Sequence, residues 1–194
     1  PAGNWYEGRK VGEIWGYRAS GIIQTQEEAD EYNAKYNLSY LTGKAWEPGD
    51  VKYIDLNGDN KIDRGDNNLN NMGDLTIIGN TTPRYQYTFN GSISYKDLSL
   101  SMMFQGVAKR DWDPGTAPYF WGSGAYAQVT VFNEHMDYWR EDNKDAYYPK
   151  PYIHSAGGVG PFRNKIMQTS DRYLQNGAYC RLKNSTLSYN LPSA

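Results

Sequence analysis

Residues 55–66 read Asp-Leu-Asn-Gly-Asp-Asn-Lys-Ile-Asp-Arg-Gly-Asp. Oxygen-bearing side chains stand at relative positions 1, 3, 5, 9 and 12, the ligand spacing of a twelve-residue calcium loop. Asp55, Asn57, Asp59, Asp63 and Asp66 would offer side-chain oxygens, and Lys61 its backbone carbonyl. Asn60 stands where such loops usually place glycine, a substitution open to Asn because it visits the left-handed conformation. Asp66 is shorter than the usual bidentate Glu, and no two convincing helices flank the segment. The expectation is structural Ca2+ that braces a loop; the competing reading is a solvated turn rich in Asp and Asn. No pocket signature accompanies these carboxylates, so catalysis is not expected of them.

A second set of candidates is aromatic. The chain has 18 Tyr and 6 Trp against 5 Phe, and Tyr and Trp pair a broad apolar face with a polar tip suited to wet binding surfaces and membrane interfaces. Trp112, Tyr119, Trp121, Tyr126 and Trp139 fall in one long irregular stretch, where they would stack on substrate or pack the stretch against itself. His135 and His154 lack an i, i+4 partner or a nearby Cys, so zinc is not expected. The charged run from Asp137 to Asp145 reads as a solvated face. Cys180 is the only cysteine; it excludes an internal disulfide and has no motif around it that would make it a nucleophile.

The elements that position these residues read as mainly β. Thr25 with Glu28 three residues later is a capping-box spacing that opens a short helix over 25–36, with Ala29, Tyr32 and Tyr36 inward. From Arg84 to Tyr95, Tyr85, Tyr87, Phe89, Gly91, Ile93 and Tyr95 alternate with Gln86, Thr88, Asn90, Ser92 and Ser94. The alternation resumes after Lys96-Asp97, with Leu98, Leu100, Met102 and Phe104 on one face. A tight hairpin would pair Tyr95 with Leu98, Ile93 with Leu100, Gly91 with Met102 and Phe89 with Phe104. A last strand is expected from Ala178 to Asn190, with its pattern faltering at Arg181–Lys183 as at a bulge.

The polar face from Tyr85 to Tyr95 carries no charge, only Gln, Thr, Asn and Ser. Small neutral polar residues suit the watery interior of a membrane barrel, and Tyr at both strand ends matches interfacial girdles. A hairpin from a soluble sandwich fits the pattern equally well; strand lengths of about 10–12 residues favour the membrane. No apolar run approaches the roughly 18 residues of a membrane-crossing helix, which leaves a barrel open. With a net charge of −2 and a mean hydropathy of −0.81, the chain has no basic stripe for nucleic acid. Its abrupt start at Pro1 and its stop after Leu191-Pro192 read as those of a piece of a longer polypeptide.

Several stretches together resemble the SusC/RagA-type TonB-dependent outer-membrane transporters of Bacteroidota. They are Glu7-Gly8-Arg9-Lys10-Val11-Gly12-Glu13-Ile14-Trp15-Gly16-Tyr17, Pro48-Gly49-Asp50-Val51-Lys52-Tyr53, Asp55-Leu56-Asn57-Gly58-Asp59, Thr76-Ile77-Ile78-Gly79-Asn80 and Pro83-Arg84-Tyr85. Ser170-Asp171-Arg172-Tyr173-Leu174 and Arg181-Leu182-Lys183-Asn184-Ser185-Thr186-Leu187-Ser188-Tyr189 complete the series, in the family's order. The resemblance implies a segment of a large antiparallel transmembrane β-barrel, with no enzyme activity, in the outer membrane.

It divides the chain into an extracellular loop region (1–83), a transmembrane hairpin (84–107), a long extracellular loop (108–176) and a barrel strand (177–194). It also implies partners: the rest of the barrel and its plug, a SusD-like surface lipoprotein, TonB reached through an N-terminal region outside these residues, membrane lipid, and an oligosaccharide or peptide substrate. A secreted carbohydrate-binding module containing calcium is the alternative. The two differ in where Phe89, Ile93, Leu98, Leu100, Met102 and Phe104 point: to lipid, or into a second sheet.

Overall fold

The computed structural model describes residues 2–121, 131–152 and 164–191. Tyr126, His154 and the Gly157–Gly160 run lie outside the described residues. The elements in order are β1 (Glu13–Gly16), β2 (Ala19–Ile22), α1 (Gln26–Lys35), β3 (Val51–Tyr53), β4 (Thr76–Asn80), β5 (Arg84–Tyr95), β6 (Leu98–Lys109), β7 (Asp111–Trp112), α2 (Pro118–Trp121), a 3-10 turn (Asn133–Met136), β8 (Gln175–Asn176) and β9 (Tyr179–Tyr189). The chain divides into two compact units, one of 1–79 and 113–174 and one of 80–112 and 175–194.

In the first unit the core forms around short elements. Thr25 caps α1 by accepting the amide of Glu28, while the Glu28 carboxylate reaches back to the amide of Gln24 at 2.6 Å. That return bond falls one residue earlier than in a standard capping box. The helix buries Ala29 and Tyr32, and Tyr36 is half-buried at its C-cap. The Tyr32 hydroxyl donates to the Tyr53 carbonyl at 2.9 Å and accepts the Tyr53 amide at 3.0 Å. Both backbone groups of this buried β3 residue are thereby satisfied by one side chain. Asn33 does the same for Trp46, whose indole nitrogen donates to the Val51 carbonyl. Ile23, Trp46, Val51, Tyr53 and Ile62 form the buried centre.

The second unit holds a three-stranded antiparallel sheet in the order β5-β6-β9. The hairpin has the expected register: Tyr95 faces Leu98, Ile93 faces Leu100, Gly91 faces Met102 and Phe89 faces Phe104. Lys96 adopts φ 52 in the turn, so a left-handed residue closes the two-residue loop although its dipeptide is not a favoured one. On β9, Asn184 pairs with Met103 and Leu182 with Phe104, which leaves Lys183 as an extra residue. This bulge is why the sequence pattern falters there: residues 180 and 182 share a face with 185, 187 and 189.

The sheet therefore has two coherent faces. Phe89–Phe104–Leu182, Ile93–Leu100–Leu187 and Tyr95–Leu98–Tyr189 form apolar rows, while Ser92–Ser101–Thr186 and Ser94–Ser99–Ser188 form hydroxyl rows. Among the described residues no second sheet interleaves with the apolar rows. Phe89 is 63% exposed, Ile93 67%, Tyr95 72% and Leu187 67%. Long strands with an uncovered apolar face and a small-residue polar face make this a mainly β chain carrying a segment of antiparallel barrel wall.

Candidate substrate cavity and aspartate loop

Trp139 and Trp121 come together in the first unit. Together with Val131, His135, Tyr138, Arg140, Tyr148, Lys150 and Ile166 they line a cavity of about 560 Å³, a size that holds a small organic ligand. Each indole nitrogen is already engaged, Trp121 with the Gly115 carbonyl at 2.8 Å and Trp139 with Gln24 Oε1 at 2.9 Å. The rings are thus fixed in orientation, and what they offer the cavity is apolar surface.

Behind Trp121 stands an aromatic cluster. Trp121 packs edge-on to Tyr173 with centroids 4.8 Å apart, and Phe120 packs against Tyr148 at 5.7 Å. Gly49 has φ 97, and a Cβ there would lie 2.7 Å from Trp139 Cε3, so the bare backbone is what lets the indole sit close. The two nearby cations are held by acids. Arg140 Nε donates to Asp142 at 3.0 Å and Lys150 Nζ to Glu47 at 3.1 Å.

The other aromatic candidates are placed differently. Tyr119 is 61% exposed and is not among the residues lining the cavity. Trp112 belongs to the second unit, half-buried in β7, where it pairs with Gln175 of β8. Tyr126 lies outside the described residues. His135 could not be singled out from sequence because its role rests on contacts made across the chain: its ring packs on Tyr148 with centroids 5.4 Å apart, and Nε2 reaches the Tyr119 and Phe120 carbonyls at 3.2 Å.

In the aspartate loop the acidic oxygens are turned to the loop's own amides. Asp55 accepts from Gly58 at 2.6 Å and from Asn60 at 2.9 Å, Asn57 from Asp59, Asp59 from Lys61, and Asp63 from Gly65. Asn60 is left-handed at φ 59, the conformation anticipated for the sixth position. Asp66 accepts from Asn71 Nδ2 at 3.0 Å. Among the described residues, no three His, Cys, Asp or Glu side chains are grouped to hold a metal ion.

The residue that organises the loop lies beyond it. Asp74 is buried, and its two oxygens accept the amides of Leu56 at 2.7 Å and Asp63 at 2.9 Å. Burial raises its carboxyl above the ordinary value, against those two amides, which lower it. An isolated Asp eight residues past a motif gives no periodic signal, so sequence reasoning passed over it.

No family model matches the chain. Curated relatives do. Over 188 residues, 97% of this chain, it is 28% identical to TonB-dependent receptor P3 of Formosa agariphila. Over 145 residues, 74% of this chain, it is 28% identical to TonB-dependent receptor P26 of the same organism. Both relatives are named as TonB-dependent receptors. It spans only 16% of the length of the first and 13% of the second. The similarity to P3 runs through both units, so the cavity and the aspartate loop stand within the region shared with a TonB-dependent receptor, as the barrel-wall strands do.

Proposed function

We propose that the chain is part of a SusC/RagA-type TonB-dependent importer in the outer membrane, without enzyme activity. In this reading β5, β6 and β9 belong to the barrel wall, with Phe89, Ile93, Leu98, Leu187 and Tyr189 toward lipid and the Ser/Thr/Asn/Gln face toward the interior. The observation that carries it is the uncovered apolar face opposite a polar face of small residues. With no second sheet over it, a water-soluble chain would leave that surface in water at a cost of about 25 cal/mol per Å². Short turns of such barrels face the periplasm and long connections face outward. The Lys96–Asp97 turn is therefore assigned to the periplasmic side, and the long connections 1–83 and 108–176 are read as extracellular loops.

The imported substrate is an oligosaccharide or a peptide, handed over by a SusD-like lipoprotein. TonB acts through the plug elsewhere in the polypeptide. Trp121 and Trp139 present the surface on which sugar rings or apolar side chains would stack. The parent polypeptide tests this reading directly. It should be extracted only with detergent, change mobility on gels when heated, and support uptake that stops when TonB is removed. A parent that is freely soluble and monomeric would end the proposal.

Calcium in residues 55–66 remains a proposal of its own, with a bracing role. It is supported by the ligand spacing and by the left-handed Asn60 at the sixth position. Binding would require Asp55, Asn57 and Asp59 to exchange amides for the metal, which places the site in the weak class of extracellular modules, about 10⁻⁴–10⁻³ M. Calorimetric titration of the full-length receptor with calcium, against an Asp55→Ala variant, tests it; equal heats from the two would exclude the site.

A further inference from the structure

Charge is distributed unevenly over the sheet. The chain carries 22 acidic against 20 basic residues, yet β5, β6 and β9 contain Arg84, Lys109, Arg181 and Lys183 and no Asp or Glu. All four lie in the half of the sheet away from the Lys96–Asp97 turn. Arg84 is directly across from Lys109, a like-charge pairing that destabilises a ladder unless something neutralises it. By alternation along β6, Lys109 shares the face of Gln105, and Arg84 stands beside it at the strand end, next to Tyr85, which is left-handed at φ 54.

Arg181 joins them from β9, paired across from Gln105. Its Nη2 donates to Gln105 Oε1 at 3.0 Å, and its guanidinium lies 5.2 Å from the centre of the Tyr179 ring. A neutral amide and an aromatic face thus hold it in place without consuming its charge. Among the described residues none of the four cations is in an ion pair. Asp111, just past the end of β6, accepts the Asn80 amide at 2.9 Å.

We propose that this half of the polar face is an anion-binding wall, and that the imported substrate is an acidic oligosaccharide whose carboxylate or sulfate groups meet Arg84, Lys109 and Arg181. The inference rests on the importer reading, which places this face in the barrel interior. Hydroxyl and amide side chains on the neighbouring rows supply partners for sugar hydroxyls, and the cations supply selection. Rows of Arg and Lys select anions in pores by the same physics. Lys183 brings a further positive charge at the bulge, and the field of such a surface raises local anion concentration.

The test uses purified full-length receptor in detergent, with dextran sulfate and unsulfated dextran of equal length as probes, followed by fluorescence anisotropy. At low salt, about 0.05 M NaCl, dextran sulfate should bind about tenfold more tightly than dextran, and at about 0.5 M the preference should collapse. The Lys109→Gln/Arg181→Gln double variant should bring the preference to about twofold, whereas Arg181→Lys should keep most of it. Heat-modifiability of each variant reports that its barrel is intact. Equal binding of the two dextrans by the unaltered receptor overturns the proposal, as does a folded double variant that keeps the tenfold preference. A receptor that imports neutral glycans in a TonB-dependent way without this preference keeps the importer reading and loses only the anionic wall.

Discussion

Lys165 Nζ donates to Asp50 Oδ2 at 2.9 Å, and neither side chain has any exposed surface. The ammonium also reaches the Ala45 carbonyl and, at 3.2 Å, the Tyr152 hydroxyl, and it sits 5.4 Å from the Trp46 ring centre. Tyr152 in turn donates to Asp50 Oδ1 at 2.5 Å. The pair joins positions 115 residues apart in sequence, so it ties the buried centre around Trp46 to the segment carrying Ile166 and Tyr173.

Desolvation raises the Asp50 carboxyl above its ordinary value, and Lys165 only partly offsets it. Breaking a buried pair on one side costs about 3–5 kcal/mol because the remaining charge is stranded, while removing both charges costs far less. Asp50→Asn and Lys165→Met should each lower the stability of the first unit by that amount. The double variant should recover at least half of the loss. Native-state hydrogen exchange of residues 46–53 and 164–174 measures this; a double variant as weak as the sum of the singles would contradict it.

Asp74→Ala should loosen the aspartate loop more than the loss of any residue within it. The substitution takes both acceptor oxygens from the part-buried amides of Leu56 and Asp63, at a cost of about 1 kcal/mol each. Amide protection across 55–63 is the readout. Asp55→Ala, whose partners Gly58 and Asn60 are exposed, should cost less because water replaces the bonds. The reverse order would show that the loop is held from within.

Helix α1 should weaken in acid. Partial burial raises the Glu28 carboxyl, but the Gln24 amide and Lys52 outweigh it and hold the group below the ordinary carboxylate value. A depressed carboxyl contributes stability above the unfolded value and loses it as pH falls through the folded value. Exchange protection of 26–35 should therefore drop as pH is lowered below about 4.5, and Glu28→Gln should flatten that dependence. A helix whose protection is constant down to pH of about 3 would rule out this role.

Gly49→Ala should disturb the cavity from behind, because Gly49 does not line it but its added methyl would press on the lining residues Trp139 and Lys150. At φ 97 an alanine is strained, and its methyl would displace Trp139, together about 1–3 kcal/mol. The expected sign is a shift in tryptophan emission. Unchanged emission would mean that Trp139 is not held against residue 49.

What could be read from the sequence was what repeats. The β5–β6 register followed from period-2 alternation because each residue pairs with its numerical mirror across one short turn, and Thr25 with Glu28 announced α1 through a local hydrogen bond. The cavity could not be read in the same way: Gln24, Gly49, Trp121, His135, Trp139 and Tyr148 are joined only by tertiary packing, and no spacing encodes it. The two-residue strands β7 and β8 are too short to show a period. The loop spacing at 55–66 was visible, but that its oxygens turn to amides and lean on Asp74 depends on a residue outside the motif.

The bulge at Lys183 divides β9 into two stretches of opposite phase. Up to Leu182 the even-numbered residues face the apolar side, and from Ser185 the odd-numbered ones do. A chimaera that exchanges this strand between two receptors, with its crossover between 182 and 185, would preserve the barrel wall only if both parents carry the extra residue. If just one does, every side chain beyond the junction is inverted between the apolar and the polar face of the sheet. Strand exchange between this chain and a relative is therefore constrained by parity as well as by sequence similarity.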